Sequence, residues 1–166
     1  MKKRDLRTQE EIDQRWLRAA IRLAREHMKS GRCGPFGAVV TRNNRIVGMG
    51  WNRVVATGDP TAHAEIVALR DAARRLRTFR LTGCVLYSSC EPCPMCLGAA
   101  YWSRVARVVF GADRFDAQAA GFDDAVMYEE YRRGSAQHRL PVRQVLHGEA
   151  RAVLKEWQTL AGRVMY

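Results

Sequence analysis

The sequence predicts an α/β sandwich with at least one parallel crossover between strands. Short apolar runs typical of strands alternate with amphipathic runs typical of helices. The apolar run at 84–89 leads directly into a helix start, and a second apolar run follows at 105–112. Because the 166 residues contain no internal repeat and no low-complexity linker, we expect a single domain over 1–166 that buries its own core.

The N-terminal half predicts a helix, a hairpin and a second helix. Residues 10–30 carry apolar side chains at intervals of three and four, the period of an amphipathic helix. The runs GPFGAVV (34–40) and IVGMGWN (46–52), joined by the turn RNNR, predict two antiparallel strands. A loop then leads to the periodic run AEIVALRDAARRL (64–76), which predicts the second amphipathic helix.

The C-terminal half continues the alternation. CVLYSS (84–89) is predicted as a strand that delivers the chain to a short helix, and the apolar run after that helix is the next strand. A polar, glycine-broken stretch follows, and AVMYEEYRR (125–133) predicts a helix. PVRQVLH (141–147) is predicted as a fifth strand, and GEARAVLKEWQTLAGRV (148–164) as the last amphipathic helix.

Composition argues against several classes of protein. No apolar run is as long as a membrane span, and the charged N-terminus lacks the apolar core of a secretory signal, so we expect a cytoplasmic protein. The cysteines number five, and three lie in CEPCPMC, which favours a reducing compartment over a disulfide framework. The net charge of +11 raises nucleic acid as a partner. However, 24 of the 28 basic residues are scattered arginines without interleaved aromatic residues, so we favour solvated helix faces.

The stretch from residue 59 to residue 96 has the composition of a metal site. Prolines on both sides of Cys93 favour a helix that starts there. Cys93 and Cys96 would then lie on one face of its first turn. The positive end of the helix dipole lowers the pKa of thiols at this position, which prepares them to bind a metal.

A second helix start brings a histidine and a glutamate to the same region. Asp59 and Pro60 are expected to form the cap and first turn of the helix that follows. His63 and Glu65 are two residues apart and share no helix face, so both can serve one site only if the metal lies beyond the helix end. Two helix N-termini would then converge on one ion.

This set of side chains predicts a catalytic zinc site. The thiolates of Cys93 and Cys96 and the neutral imidazole of His63 balance the charge of Zn²⁺ and leave a fourth tetrahedral position for water. Zinc lowers the pKa of such a water, and Glu65 is expected to accept its proton.

The alternative is a closed structural zinc site completed by Cys90 or Cys84. A closed site has no use for Glu65, and it more commonly contains paired CxxC units. The chain also matches in full the H-x-E…P-C-x-x-C signature of the zinc deaminases.

These residues resemble the cytidine deaminase superfamily, which implies a three-layer α/β/α sandwich with a mixed five-stranded sheet. Within the superfamily the chain is similar to the bacterial guanine deaminases, in GPFGAVV, DPTAHAE, LYSSCEPCPMCLGAAYW and GFDD. The resemblance covers nearly the whole chain, with the first ten residues as an extension. HAE with EPCPMC is specific for the superfamily, whereas GFDD and the C-terminal aromatic residue are the shorter signals that point toward guanine.

The resemblance implies zinc-dependent hydrolysis of guanine to xanthine and ammonia, with water attacking C2. Asn52 would then hydrogen-bond the purine, and Phe36 and Trp102 would stack on it. The alternatives are a strand-end turn for Asn52 and core packing for the two aromatic residues. Asp124 suits a base with adjacent N–H donors, which guanine offers at N1 and the 2-amino group, and the neighbouring Asp123 is open for the same role.

The C-terminal segment, from about residue 148 to residue 166, carries apolar residues that should pack on something. In the guanine deaminases that the chain resembles, this segment crosses to the partner subunit and closes over its active site. The resemblance therefore implies a homodimer in which Tyr166 lies near the base bound by the partner. A frayed terminus is the alternative.

Two other functions stay open from the sequence. An adenosine deaminase acting on transfer RNA, or another purine or nucleoside deaminase, fits EPCPMC and the positive charge. Against the RNA enzyme, QTLAGRVMY lacks the basic helix with paired aromatic residues in which those enzymes resemble one another. A non-enzymatic, zinc-stabilised RNA-binding protein would have no need of Glu65.

Overall fold

A four-stranded mixed sheet forms the centre of the computed structural model, which describes residues 8–133 and 138–165. In chain order the elements are α1 (Gln9–Met28), β1 (Gly37–Arg42), β2 (Arg45–Trp51), α2 (Val54–Thr57), α3 (Ala64–Leu76), β3 (Cys84–Cys90), α4 (Pro94–Trp102), β4 (Arg107–Ala112), α5 (Arg114–Ala119), α6 (Asp124–Arg132) and α7 (His147–Thr159). The strand order is β2-β1-β3-β4. Strand β1 is antiparallel to β2 and β3, whereas β3 and β4 are parallel.

The predicted sandwich is confirmed. Helix α4 makes the crossover between the parallel strands β3 and β4. Alternate residues of β1 face opposite layers: Val39 packs with Trp16 of α1, whereas Ala38 and Val40 pack with Leu69 of α3. The sheet therefore lies between α1 on one side and α3 on the other.

The predicted hairpin is also confirmed, and it places α3 close to the sheet. Asn43 and Asn44 form its two-residue turn with φ of 50° and 55°, the left-handed conformation of a type I′ turn. Further along β2, a Cβ on Gly50 would collide with the backbone of Ala64 and Ala68. This close approach brings the N-terminus of α3 to the end of the sheet where β2 finishes.

An ion pair fixes α1 on the sheet. The two guanidinium nitrogens of Arg107 in β4 donate to the carboxylate of Asp13 over 2.6 and 2.7 Å. The Tyr87 hydroxyl of β3 donates to the same carboxylate over 2.7 Å. The Arg107 hydrogen bonds lower the pKa of Asp13, and burial raises the pKa of Tyr87 to about 12. One carboxylate thus joins a helix to two strands.

The predicted fifth strand is wrong for the described residues. Residues 141–146 form no strand, and α7 begins at His147. Pro141 has no N–H to donate to a ladder, and Val142 and Val145 are 64% and 62% exposed, so no core in this chain favours an extended pairing. Strands β2 and β4 are the two edges of the sheet.

Two local expectations are corrected as well. Asp59 does not cap α3, because its carboxylate accepts from the backbone N–H and hydroxyl of Thr61 over 2.8 and 2.7 Å and closes a separate turn. His63 takes the N-cap position instead. The stretch expected to be irregular after β4 contains α5, which Asp113 and Asp116 begin with a capping box.

The described helices include none with the length and apolar character that a membrane crossing requires.

Candidate active site

A cavity of about 210 Å³ lies at the end of the sheet where β2 and β3 finish and α3 and α4 begin. Loop residues before β1 and the start of α6 complete its wall. The lining residues are Gly34, Phe36, Asn52, Val54, Val55, His63, Glu65, Cys90, Glu91, Cys93, Phe122 and Asp124.

The structure brings the three predicted metal ligands together at this cavity. The candidate ligand atoms of His63, Cys93 and Cys96 all lie within 4.8 Å of one another, and Cys93 Sγ is 3.7 Å from His63 Nδ1. Ligands of a tetrahedral zinc, each about 2.0–2.3 Å from the ion, are separated by roughly 3.3–3.8 Å. The donor set and its spacing therefore fit zinc.

Helix caps explain why these side chains converge. His63 is the N-cap of α3 and Cys93 the N-cap of α4, both in extended conformation, and Cys96 lies in the first turn of α4. Because His63 precedes the helix, it points to the same place as Glu65 although the two are only two residues apart.

The thiols of Cys93 and Cys96 influence each other. A hydrogen bond from Cys96 lowers the pKa of Cys93, and the same contact, with burial, raises the pKa of Cys96. The hydrogen bond to Cys93 raises the pKa of His63. A lowered pKa favours the thiolate form in which a cysteine binds a metal.

Glu65 is buried beside the cluster, with 5% of its surface exposed. Ser88 Oγ of β3 donates to Glu65 Oε1 over 2.8 Å, and Glu65 Oε2 lies 3.5 Å from Cys96 Sγ. Burial raises the pKa of the Glu65 carboxyl. A carboxylate that is fixed at one oxygen and has a raised pKa is suited to accept and return a proton.

Asn52 presents one defined hydrogen-bonding group to the cavity. Its Oδ1 accepts from the backbone N–H groups of Gly34 and Val54, both over 3.3 Å. The amide nitrogen is thus the part of the side chain left to donate to a ligand. Only 7% of Asn52 is exposed, so a bound molecule would meet a rigid donor.

Aromatic and acidic residues also line the cavity. Phe36 and Phe122 meet edge to face, with ring centroids 4.7 Å apart. Asp124 lines the cavity, and burial raises the pKa of its carboxyl. Asp123 is the N-cap of α6 and does not line the cavity.

The structure does not bring Trp102 to this cavity. It is the last residue of α4, is 62% exposed and lines a separate apolar cavity of about 580 Å³ with Phe79 and Val164. Since a helix rises 1.5 Å per residue, nine residues separate it from Cys93 by about 13 Å. The prediction that Trp102 stacks on the bound base is therefore not supported at this cavity. Tyr166 lies outside the described residues.

Phe122, Ser88 and Glu91 were not predicted from the sequence as residues of the site. Phe122 belongs to GFDD, in which only the aspartates were predicted to contact the base. Ser88 could have been found from the alternation of β3, because it shares a face with Leu86, which packs in the core next to α3.

Residues 10–112 match the family model of the cytidine and deoxycytidylate deaminase zinc-binding region. The chain belongs to that family. The predicted membership of the cytidine deaminase superfamily, the predicted fold and the predicted class of hydrolytic deaminase are thereby confirmed. The two halves of the zinc-binding signature, HAE and PCPMC, fall within the matched residues.

The relatives of this chain include both guanine deaminases and tRNA-specific adenosine deaminases. The guanine deaminase of Bacillus subtilis (strain 168) is 42% identical over 151 residues, which are 91% of this chain and 97% of that protein. The X-ray structure of guanine deaminase from Bacillus subtilis superposes with a TM-score of 0.88 at 41% identity and covers 92% of this chain and 98% of that one. The tRNA-specific adenosine deaminase of Haemophilus influenzae is 43% identical, over 70% of each chain.

Proposed function

We propose that the protein is a zinc-dependent guanine deaminase that hydrolyses guanine to xanthine and ammonia. The observation that carries this proposal is that Asp124 lines the same cavity as the metal-ligand cluster. A carboxylate there can bind the two adjacent N–H donors of guanine at N1 and the 2-amino group, whereas in adenine the donor of the 6-amino group lies beside an acceptor at N1. The similarity to the Bacillus subtilis guanine deaminase extends over the region that contains Asp124.

His63, Cys93 and Cys96 would hold the zinc. When bound, zinc would lower the pKa of a water and so supply the nucleophile near neutral pH. Glu65 takes one proton of the water and gives it to a ring nitrogen of the base. It then takes the second proton from the new hydroxyl group and gives it to the departing amine, which leaves as ammonia. Ser88 holds one oxygen of Glu65, which keeps the other beside the cluster.

The remaining residues orient the base. The amide nitrogen of Asn52 donates to an acceptor on the purine, and Asp124 accepts from its N–H groups. Phe36 offers a ring for stacking, and Phe122 supports Phe36 edge to face. The apolar wall also limits water around the reacting carbon.

A panel of amino-heterocycles tests this function. We expect stoichiometric ammonia release from guanine, and xanthine as the product, with adenine and cytosine turned over at least about 100-fold more slowly because they lack the paired N–H donors. Guanosine and small aminotriazines complete the panel and define tolerance for a ribose or a smaller ring. Adenine or cytosine turned over as fast as guanine would contradict the assignment.

Adenosine in transfer RNA is the second candidate, favoured by the 43% identity to the Haemophilus influenzae enzyme. Binding of RNA falls steeply with salt because counterions are released, whereas a neutral base has no such dependence. A kcat/KM for guanine that changes little between 50 and 200 mM salt, roughly the range over which RNA binding collapses, would support the base deaminase.

We also propose that the segment from about residue 148 to residue 166 packs on a partner subunit and forms a homodimer. Helix α7 has no buried residue, although it exposes an apolar face with Val153 at 63%, Leu154 at 65% and Trp157 at 38%. The outer strand β4 exposes Phe110 at 44%. Each large apolar side chain gains about 1.5–3 kcal/mol when it is fully buried, so an association surface is favoured. In such a dimer Tyr166 would close over the partner's base.

The α7 face can be tested by the oligomeric state. Leu154→Lys is expected to raise the dimer dissociation constant by about 10-fold or more, because a charge replaces a buried apolar side chain. Ala152→Lys adds the same residue on the opposite face of α7 and should leave the dimer intact. Analytical ultracentrifugation over a dilution series measures both. A wild-type chain that is monomeric and fully active contradicts the dimer.

All five cysteines are free thiols, two of them in the ligand cluster, which supports the proposal that the protein works in the reducing cytoplasm.

A further inference from the structure

Helix α6 places Asp124 in the cavity but is weakly held by the core. It begins at Asp124 and none of its residues is buried. Fully buried apolar side chains therefore do not fix the distance between Asp124 and the metal-ligand cluster. Half-buried side chains and polar contacts hold this helix instead.

One such contact joins α6 to the loop in front of a metal ligand. The hydroxyl of Tyr128, one helical turn after Asp124, donates to the backbone oxygen of Pro92 over 2.6 Å. Pro92 immediately precedes Cys93, the N-cap of α4. This hydrogen bond thus links the helix that carries Asp124 to the loop that carries a ligand.

A second contact reaches the same loop through α5. The Arg114 guanidinium lies 3.8 Å from the centroid of the Tyr128 ring, a cation–π contact. Arg114 Nη2 donates to Glu91 Oε1 over 2.7 Å, and both Arg114 Nε and its backbone N–H donate to Glu91 Oε2 over 3.1 Å. Glu91 is the residue before Pro92. Because the guanidinium binds the carboxylate through two parallel hydrogen bonds, the pair fixes the orientation of the two side chains as well as their separation.

The ion pair is largely shielded from water, with 26% of the Arg114 side chain and 14% of the Glu91 side chain exposed. Glu91 lines the cavity, whereas Arg114 and Tyr128 do not. Arg114 thus neutralises one of the three carboxylates that line the cavity. Because Glu65 is assigned to proton transfer, Asp124 is the acidic group that remains to accept from a base.

We propose that Arg114 and Tyr128 form a latch that positions Asp124 against the metal-ligand cluster and thereby sets the affinity and selectivity for the purine. The latch joins α5, α6 and the loop 91–92, and its two residues act through Asp124 without touching the base. This inference rests on the proposed function. Loss of the latch should loosen α6 and weaken binding while the ligands stay in place.

The Tyr128→Phe variant removes the hydroxyl and keeps the ring under Arg114. In a Glu65→Gln background turnover is expected to be slow enough for binding to be measured. There the dissociation constant of guanine is expected to rise about three- to tenfold. With Glu65 present, KM should rise similarly and kcat should stay within about twofold, since the lost contact serves binding. Zinc content should be unchanged.

Amide hydrogen exchange gives a readout that does not depend on the ligand. Peptides covering 124–132 should exchange faster in Tyr128→Phe, whereas α1 and α3 should keep the wild-type rates. Tyr131→Phe is the matched control, because it removes a hydroxyl from a 70% exposed tyrosine of the same helix. It should change neither exchange nor binding.

Arg114→Ala should have the larger effect, about tenfold or more on the dissociation constant, because it leaves the Glu91 carboxylate unpaired beside the cavity. Arg114→Lys should recover part of the loss, since lysine keeps the charge without the fork and the stacked plane. Partial recovery argues for positioning over a purely structural role.

The outcomes separate the latch from the proposed function. The latch is overturned if Tyr128→Phe gives the same binding and the same hydrogen exchange as Tyr131→Phe. It is also overturned if Tyr128→Phe loses zinc while the exchange of α6 is unchanged. If the wild-type protein neither binds nor deaminates guanine, the proposed function fails. The exchange of 124–132 then decides the latch by itself: faster exchange in Tyr128→Phe supports it, and an unchanged rate overturns it.

Discussion

Glu65→Gln is expected to lower kcat for guanine by about 10²–10⁴-fold while zinc content and fold are retained. Glutamine has the size of glutamate, and its amide oxygen can still accept the hydrogen bond from Ser88 that Glu65 Oε1 accepts over 2.8 Å. The amide cannot take up a proton at the second position, however, so both proton transfers lose their carrier. KM should change far less than kcat, because Glu65 acts on the water and the leaving amine.

The matched control is Glu26→Gln, which makes the same substitution at an exposed position of α1. Steady-state kinetics, metal analysis and thermal unfolding of the two variants and the wild type separate a catalytic loss from a folding defect. Turnover close to wild type in a zinc-replete Glu65→Gln protein would remove Glu65 from the mechanism.

The metal-ligand cluster could be predicted because its geometry is local. Pro94 sets the start of α4, which makes Cys93 the N-cap and puts Cys96 in the first turn whatever the rest of the chain does. The position of His63 needed one further fact. Asp59 was predicted as the helix cap, but its carboxylate accepts hydrogen bonds from Thr61. His63 is the N-cap residue instead, and from this position its imidazole faces the thiols.

Contacts between distant segments could not be predicted in the same way. Phe122 meets Phe36 across 86 positions of sequence, and no local period marks two rings that come together only when α6 folds over the loop before β1. The Arg114–Glu91 pair has the same character, because its partners are 23 positions apart in the sequence. Both pairs depend on the path of the chain after β4. The polar, glycine-broken sequence there gives no periodic pattern from which α5 could be predicted.

The C-terminal region shows a different limit. Periodicity correctly predicted α7 as amphipathic, but a pattern of apolar residues does not say which surface covers them. PVRQVLH has the composition of a strand, and residues 141–146 nevertheless stay unpaired in a single chain. A sequence can thus show that an element is amphipathic or extended without showing what it packs on.

Cys96→Ala is expected to lose most of its bound zinc and to lower Tm by about 8–16 °C. Removing one thiolate leaves an ion undercoordinated, and the binding free energy of a structural or catalytic metal is also folding free energy. A loss of about 4 kcal/mol, the stabilisation given by a ligand at 1,000 times its dissociation constant, corresponds to this shift for a chain of roughly this size. Cys93→Ala should behave alike, since both thiols belong to the cluster with His63.

A chelator and a second cysteine variant make this test specific. Incubation with a chelator should lower the Tm of the wild type and leave that of Cys96→Ala nearly unchanged, because the variant has no metal left to lose. Cys90→Ala changes a thiol that lines the same cavity but lies outside the cluster, so it should keep its zinc. Loss of zinc from Cys90→Ala as well would support the closed four-ligand site, which leaves no position for water. Stoichiometric zinc in both Cys93→Ala and Cys96→Ala would show that the ion is held elsewhere.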